Sequence, residues 1–469
     1  MLTNFINQKI LSFFPFEPTN EQITAIQTLS CFLADSENSG ALLVKGYAGT
    51  GKTSLLSAMV KMMDSFGQKA ILLAPTGRAA KVFAAYSGHS ALTVHKKIFR
   101  QKSFSNDFSG FVLTDNLHKN TLFIVDEASM ISNESAGMSV FGSGRLLDDL
   151  VQYIYSGEGC RLILMGDSAQ LPPVSLTESP ALSANYLKKY NLHVTEIQLT
   201  QVVRQQKASG ILFNATAIRN ALRSGKTDSR PTIRTKNFTD IRQINGDELI
   251  EEIASAYNRD GIDDTIVICR SNKNANIYNN GIRSRILYRE EELSAGDRLM
   301  VVKNNYYWGK GNGELDFMAN GETIQVVRVR RTEQIYGFRF YTILARFIDY
   351  DTEIELKIIA DALQSESPAL SKEANDKLFT SVAEDYADIR SKPERIKKIK
   401  EDPYFNAVQV KYAYAVTCHK AQGGQWSTVF LDAGYLAQDR MGEDFYRWLY
   451  TAFTRATNKL FLVNFEIKK

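Results

Sequence analysis

The sequence predicts an α/β protein of parallel sheets with flanking helices, joined to a smaller antiparallel barrel. Three observations carry that expectation. A phosphate-loop pattern sits between an apolar strand and an amphipathic helix; an acidic pair ends a second apolar strand; and a β-branched, alternating block lies late in the chain. At 469 residues the chain exceeds what one hydrophobic core ordinarily organises, so several domains are expected.

GYAGTGKT (residues 46–53) fits G-x-x-x-x-G-K-S/T in full. It follows an apolar strand at 41–44 and opens a helix with Leu55, Leu56, Met59, Met62, Met63 and Phe66 at helical spacing. Gly46, Gly49, Thr50 and Gly51 let backbone N–H groups curl around phosphates, and the helix N-terminus adds its positive dipole end. In this pattern Lys52 pairs with the β- and γ-phosphates of ATP and the Thr53 hydroxyl ligates Mg²⁺. A second strand is expected over LFIVDEASM, residues 122–130, with Asp126 and Glu127 at the end where open α/β sheets bind ligands. Asp126 suits a second Mg²⁺ ligand, and Glu127 a base for the attacking water. Residues 70–73 lead into APTGRAAK and 162–165 into GDSAQLPPV; such strand-then-turn units alternating with helices argue for a parallel sheet.

Hydrophobic residues at 44% and charged residues at 23% describe an ordinary globular protein. A net charge of +4 permits a polyanionic partner without requiring one. Cys31, Cys160, Cys269 and Cys418 are far apart, with no Cys-x-x-Cys pair, so neither zinc nor a disulfide framework is expected, and a reducing, cytoplasmic setting is. The first twenty residues lack the pattern of a signal peptide, and no apolar run has the length of a membrane span.

The ordered set GYAGTGKT, APTGRAAK, VDEAS, GDSAQLPPV, LTQVVRQ, VTCHKAQGGQW and LYTAFTRA resembles superfamily 1 helicases of the 5′-to-3′ group, the RecD- and Dda-like enzymes. The matches run from about residue 19 to about residue 463. The resemblance implies two RecA-like domains with ATP between them, and a motor that hydrolyses ATP to ADP and phosphate while translocating 5′ to 3′ on single-stranded DNA and unwinding duplex. It makes Gln170 the γ-phosphate sensor of the first domain, and brings Arg204 and Arg455 from the second domain to the transferring phosphoryl group. It also assigns Gly424 to the nucleotide site. For DNA it implies Pro75, Thr76, Thr93 and His95 in the first domain and Thr417, His419 and Lys420 in the second, short polar groups suited to phosphate contacts.

Two assignments stay open at this stage. Thr19-x-x-Gln22 reads as a capping box, while the resemblance places Gln22 against the adenine edge. The stretch after His95 carries Phe99, Phe104, Phe108 and Phe111 among basic residues, with a turn at Ser109-Gly110, where the family has a strand-separating pin. Its aromatics suit base stacking or a plain hairpin packed on the core. The expected division is a first RecA-like domain over 1–95 and 121–195, a pin over 96–120, a second RecA-like domain over 196–295 and 411–469, and an SH3-like insertion with a helical excursion over 296–410. Expected partners are single-stranded and forked duplex DNA and single-strand-binding, repair or replication proteins, with no membrane and no zinc. Alternative functions are the motor subunit of an ATP-dependent nuclease and a P-loop switch without unwinding.

Overall fold

The computed structural model describes residues 1–35, 40–101, 111–134, 141–202, 209–309, 317–348, 352–434 and 441–465. Arg204, Phe104, Phe108, Ser109 and Gly110 lie outside the described residues. The first sheet is built from β1 (Gly40–Gly46), β2 (Lys69–Ala74) and β3 (Ala91–Thr93). After a short hairpin of β4 (Phe99–Gln101) and β5 (Phe111–Leu113), it continues with β6 (Thr121–Val125), β7 (Arg161–Gly166) and β8 (His193–Leu199). The six strands are parallel in the order β3-β2-β6-β7-β1-β8. Leu42 and Leu43 of β1 point to opposite faces, yet both are fully buried. Helices cover both faces of a sheet of this kind, which is why the strand reads as a continuous apolar run.

Two sequence expectations are corrected here. LFIVDEASM is not one strand: β6 stops at Val125, and a 3₁₀ turn spans Ala128–Met130. Glu127 stands between them at φ 52, in the left-handed region that no strand residue adopts. Phe66 does not share the buried face of the phosphate-loop helix. That helix is Lys52–Ser65, Phe66 follows it, and its ring is 44% exposed and meets Phe5 edge-on.

The second sheet starts with β9 (Ile241–Ile244) and β10 (Thr265–Cys269). The chain then leaves for a closed barrel of β11 (Arg298–Val301), β12 (Thr323–Ile335), β13 (Phe338–Phe347), β14 (Thr352–Ile359) and β15 (Val408–Tyr412). It returns with β16 (Ala415–Thr417), β17 (Trp426–Asp432) and β18 (Ala456–Val463), giving the parallel order β16-β10-β17-β18-β9. In the barrel the alternation is explicit: Ile324 and Val326 of β12 and Ile343, Ala345 and Phe347 of β13 are buried together. Ile335 pairs with Phe338 around Tyr336-Gly337, both at positive φ, the geometry of a two-residue hairpin turn. Between β14 and β15 the helices Lys372–Glu384 and Lys392–Lys400 pack Leu378, Val382 and Ile399 on Phe338 and Phe340.

The barrel is fixed to both of its neighbours. Buried Asp297 accepts from Arg283, Arg289 and the Tyr414 hydroxyl where the barrel leaves the second sheet. At the other side Phe111 of the β4–β5 hairpin packs on Tyr306 and Phe317, with centroids 4.8 and 5.6 Å away. Phe99 and Phe111 are therefore core aromatics, as in the packed-hairpin reading. Among the described residues no helix is long and apolar enough to cross a membrane.

Candidate nucleotide site and strand-binding face

The phosphate loop takes its shape from its glycines. Gly51 caps the helix at φ 86, and a Cβ on Gly46 would stand 2.7 Å from Lys52 Cγ. Thr50 is buried and donates to the Tyr47 carbonyl, closing the loop on itself. Lys52 Nζ donates to the Gly46 and Tyr47 carbonyls at 2.5 and 3.0 Å, so the ammonium lies at the mouth of the loop, with Thr53 next along the helix. Gly49 leaves only close space for Val202 and Leu212 above it.

Beside the loop, Asp126 and Glu127 follow β6 as the sequence suggests. The Glu127 N–H donates to Asp126 Oδ1 at 2.8 Å, which curls the two carboxyl groups around one turn. Burial, with the adjacent Glu127 carboxylate, pushes the Asp126 carboxyl up to about 7, against the pull of Lys52. The left-handed backbone of Glu127 costs roughly 1 kcal/mol or more, and such strain concentrates at functional sites.

Gln170 lies on the turn that follows β7. It is 6% exposed, and among the described residues its Oε1 accepts no hydrogen bond. A buried orphan acceptor is uncommon and calls for a ligand or a water. The turn itself is held by the helix Glu443–Phe453 of the second sheet. Leu171 N–H donates to Thr451 Oγ1 at 2.8 Å, and Arg447 donates to the Ser168 carbonyl at 2.6 Å. Gln422 Nε2 adds a bond to the Leu171 carbonyl at 2.7 Å.

Arg455 stands just beyond that helix and is 2% exposed. Its guanidinium donates to the carbonyls of Thr451 and Gly424 and to Thr454 Oγ1, leaving Nη1 4.0 Å from Glu127 Oε1 across the cleft. Gly424 thus reaches the site through its carbonyl on Arg455, and a Cβ there would collide with the Trp426 ring at 2.4 Å.

The expected strand-binding residues divide. Thr76 follows Pro75 at the end of β2 and caps the helix Gly77–Ser87. Thr93 pairs with Ala74 across the sheet and caps the helix Val94–Ile98, so both hydroxyls carry local turns. Thr417 pairs with Cys269 at the corresponding end of the second sheet. Thr76, His419 and Lys420 line one cavity of ≈ 520 Å³ with Arg78, Arg298 and Trp426. His95 is partly exposed and packs against Phe141 and Phe99 at 4.8 and 5.9 Å, and desolvation lowers its pKa to about 4, so the imidazole is neutral. Burial, with Lys411 nearby, lowers the Lys420 pKa to about 8.

Two family models match this chain: the AAA domain over residues 19–238 and the UvrD-like helicase C-terminal domain over 412–463. Similar curated proteins are the ATP-dependent RecD2 DNA helicase of Deinococcus radiodurans, 23% identical, and the ATP-dependent DNA helicase dda of Enterobacteria phage T4, 25% identical. In both matches the chain is similar to superfamily 1 helicases of the RecD and Dda type. The RecD2 match covers 90% of this chain and 46% of the relative, the dda match 64% and 65%. An uncharacterized protein of Acanthamoeba polyphaga mimivirus is 25% identical over 94% of this chain and 98% of its own length.

Within this helicase family reading, the capping alternative for Gln22 is formed. Its Oε1 accepts from Thr19 N–H, its own N–H donates to Thr19 Oγ1, and its Nε2 donates to the Thr50 carbonyl in the phosphate loop. Arg447 and Tyr450 were not anticipated from sequence. For Arg447 the signal was its four-residue spacing from Thr451 on a helix whose other residues are largely apolar, with Arg455 four positions further on, just past the helix end.

Proposed function

We propose that this chain is an ATP-dependent DNA helicase, moving 5′ to 3′ on single-stranded DNA and separating duplex strands as it hydrolyses ATP to ADP and phosphate. The observation that carries the reading is Arg455, buried in the second lobe and presented to Glu127 of the first across the cleft that holds the phosphate loop. A cation supplied from the second lobe suits a motor that couples hydrolysis to lobe movement.

The roles follow from placement. The phosphate-loop amides of Gly49, Thr50 and Gly51 and the Lys52 ammonium would hold the β- and γ-phosphates. Thr53 and Asp126 supply oxygen donors of the kind Mg²⁺ takes, and the ion, when bound, would offset phosphate charge. Glu127 would accept the proton of the attacking water, and Gln170 Oε1, without a partner among the described residues, would orient that water or report the γ-phosphate. Arg455, with Arg204 from the family pattern, would neutralise charge on the phosphoryl group. Pro75, Thr76, Thr417, His419 and Lys420 would grip the strand, and because they sit on two lobes, closing the cleft would move one grip against the other. We divide the chain into two RecA-like lobes with the β4–β5 hairpin as pin and the barrel bracing it.

The test is ATP hydrolysis with and without single-stranded DNA. The wild type should be strongly stimulated, and Lys52→Ala should lose turnover while keeping salt-sensitive DNA binding. Undiminished DNA-stimulated turnover in Lys52→Ala would overturn the assignment. Co-purification of a nuclease subunit would instead favour a motor within a nuclease complex.

A further inference from the structure

The phosphate loop and the Asp167 turn are two separate segments of the first lobe, following β1 and β7. One side chain from the second lobe touches both. Tyr450 lies on the helix Glu443–Phe453, 1% exposed, with its ring in the core shared by Tyr47, Ala169 and Leu171. Its hydroxyl accepts from the Ala48 N–H of the phosphate loop at 2.9 Å and donates to Asp167 Oδ2 at 2.6 Å. The other carboxylate oxygen, Asp167 Oδ1, accepts from Ala169 N–H at 2.9 Å, directly before Gln170. Asp167 is itself 1% exposed, so its bonds to the hydroxyl and to Ala169 N–H are shielded from water.

We infer that Tyr450 is a positioning residue of the helicase reaction: through one hydroxyl it ties the phosphate loop and the Gln170 turn to the helix that leads to Arg455. The chain of bonds runs Ala48 N–H, Tyr450 hydroxyl, Asp167 carboxylate, Ala169 N–H. Opening the cleft breaks both Tyr450 bonds together and takes their shared partner from the Ala48 amide and the buried Asp167 carboxylate, so the closed, hydrolysing arrangement is set by all of them at once. Burial and the Asp167 carboxylate hold the phenol far above its ordinary pKa, so the hydroxyl keeps its proton and remains a donor throughout the working pH range. A tyrosine serves here where phenylalanine would fill the same space, because the ring packs while its tip joins two groups that are otherwise unconnected. Arg455 lies five positions after Tyr450, just past the helix end, and donates to the helix carbonyl of Thr451, so a shift of the helix carries the tyrosine and the arginine together.

This inference rests on the helicase reading and is tested within it. Tyr450→Phe keeps the ring and removes only the hydroxyl. Purified wild type, Tyr450→Phe, Asp167→Asn and the double variant are compared in DNA-stimulated ATP hydrolysis, with melting temperature and single-strand binding as checks on folding. The expected result is a fall in kcat of about tenfold to a hundredfold for Tyr450→Phe, the size of a lost buried hydrogen bond to a charged group. KM for ATP and the DNA affinity stay close to wild type, and the double variant is no slower than the worse single variant. A Tyr450→Phe protein with kcat within about twofold of wild type would overturn the inference, as would a loss confined to KM or additive effects in the double variant. Absence of DNA-stimulated hydrolysis in the wild type would remove the helicase reading and this inference together; an active wild type with an equally active Tyr450→Phe removes this inference alone.

Discussion

Replacing Arg455 by methionine separates what the guanidinium does for the fold from what it does for the reaction. Methionine keeps the length and the apolar stem of the side chain and removes the charge and its donors. Three bonds go: to Thr451 O at 3.1 Å, to Gly424 O at 3.1 Å and to Thr454 Oγ1 at 3.2 Å. Thr451 O retains the Thr454 hydroxyl as a donor at 2.9 Å, so the carbonyl of Gly424 is the acceptor that loses most. The folding cost is then about 1–3 kcal/mol, read from denaturant unfolding. The catalytic cost is larger. An arginine that neutralises a transferring phosphoryl group is worth on the order of 10³ in kcat, about 4 kcal/mol of transition-state stabilisation. Hydrolysis measured at saturating ATP and DNA, well below the variant's melting temperature, isolates that term. A kcat within about tenfold of wild type would refute the proposed role and leave Arg455 as a structural tie between Gly424 and the helix.

Other outcomes follow from the same geometry. Gln170→Ala removes a buried oxygen that has no partner among the described residues, so unfolding free energy should change by only about 1 kcal/mol. ATP-analogue and DNA binding should persist while DNA ceases to accelerate hydrolysis; normal stimulation with normal unwinding would reduce residues 167–171 to a simple turn. Lys420, with its pKa lowered to about 8, is charged at pH 7 and loses its charge as pH rises through 8, so single-strand affinity should weaken between pH 7 and 9. Lys420→Arg stays charged over that range and should flatten the profile; identical profiles for the two proteins would exclude Lys420 as a phosphate contact. Lys420→Met should also lower the slope of log affinity against log salt by about 0.7.

The phosphate loop, the acidic pair and the alternating barrel strands were legible because each depends on local spacing. A glycine at 51 or a β-branched run in β12 needs no knowledge of the rest of the chain. What the sequence hid were choices made by tertiary neighbours. His95 is assigned to the strand by resemblance, while its packing on Phe141 depends on a neighbour that local spacing does not announce. Gln22 carries one amide that can cap a helix or meet a base, and its bonds to Thr19 and Thr50 follow from where the phosphate loop packs. Tyr450 falls within LYTAFTRA, but its value lies in reaching Ala48 and Asp167, far away in sequence. The end of β6 was overrun because an apolar run cannot announce that its second acidic residue will turn left-handed.

The central claim is that this chain converts ATP hydrolysis into directed strand separation. Its most direct test is unwinding of duplexes carrying a single-stranded tail at either the 5′ or the 3′ end, with ATP and Mg²⁺. The account predicts that the 5′-tailed and forked substrates are opened, that the 3′-tailed one is not, and that Lys52→Ala opens neither. Preference for the 3′ tail would contradict the direction of movement, and hydrolysis without unwinding of any substrate would contradict the claim itself.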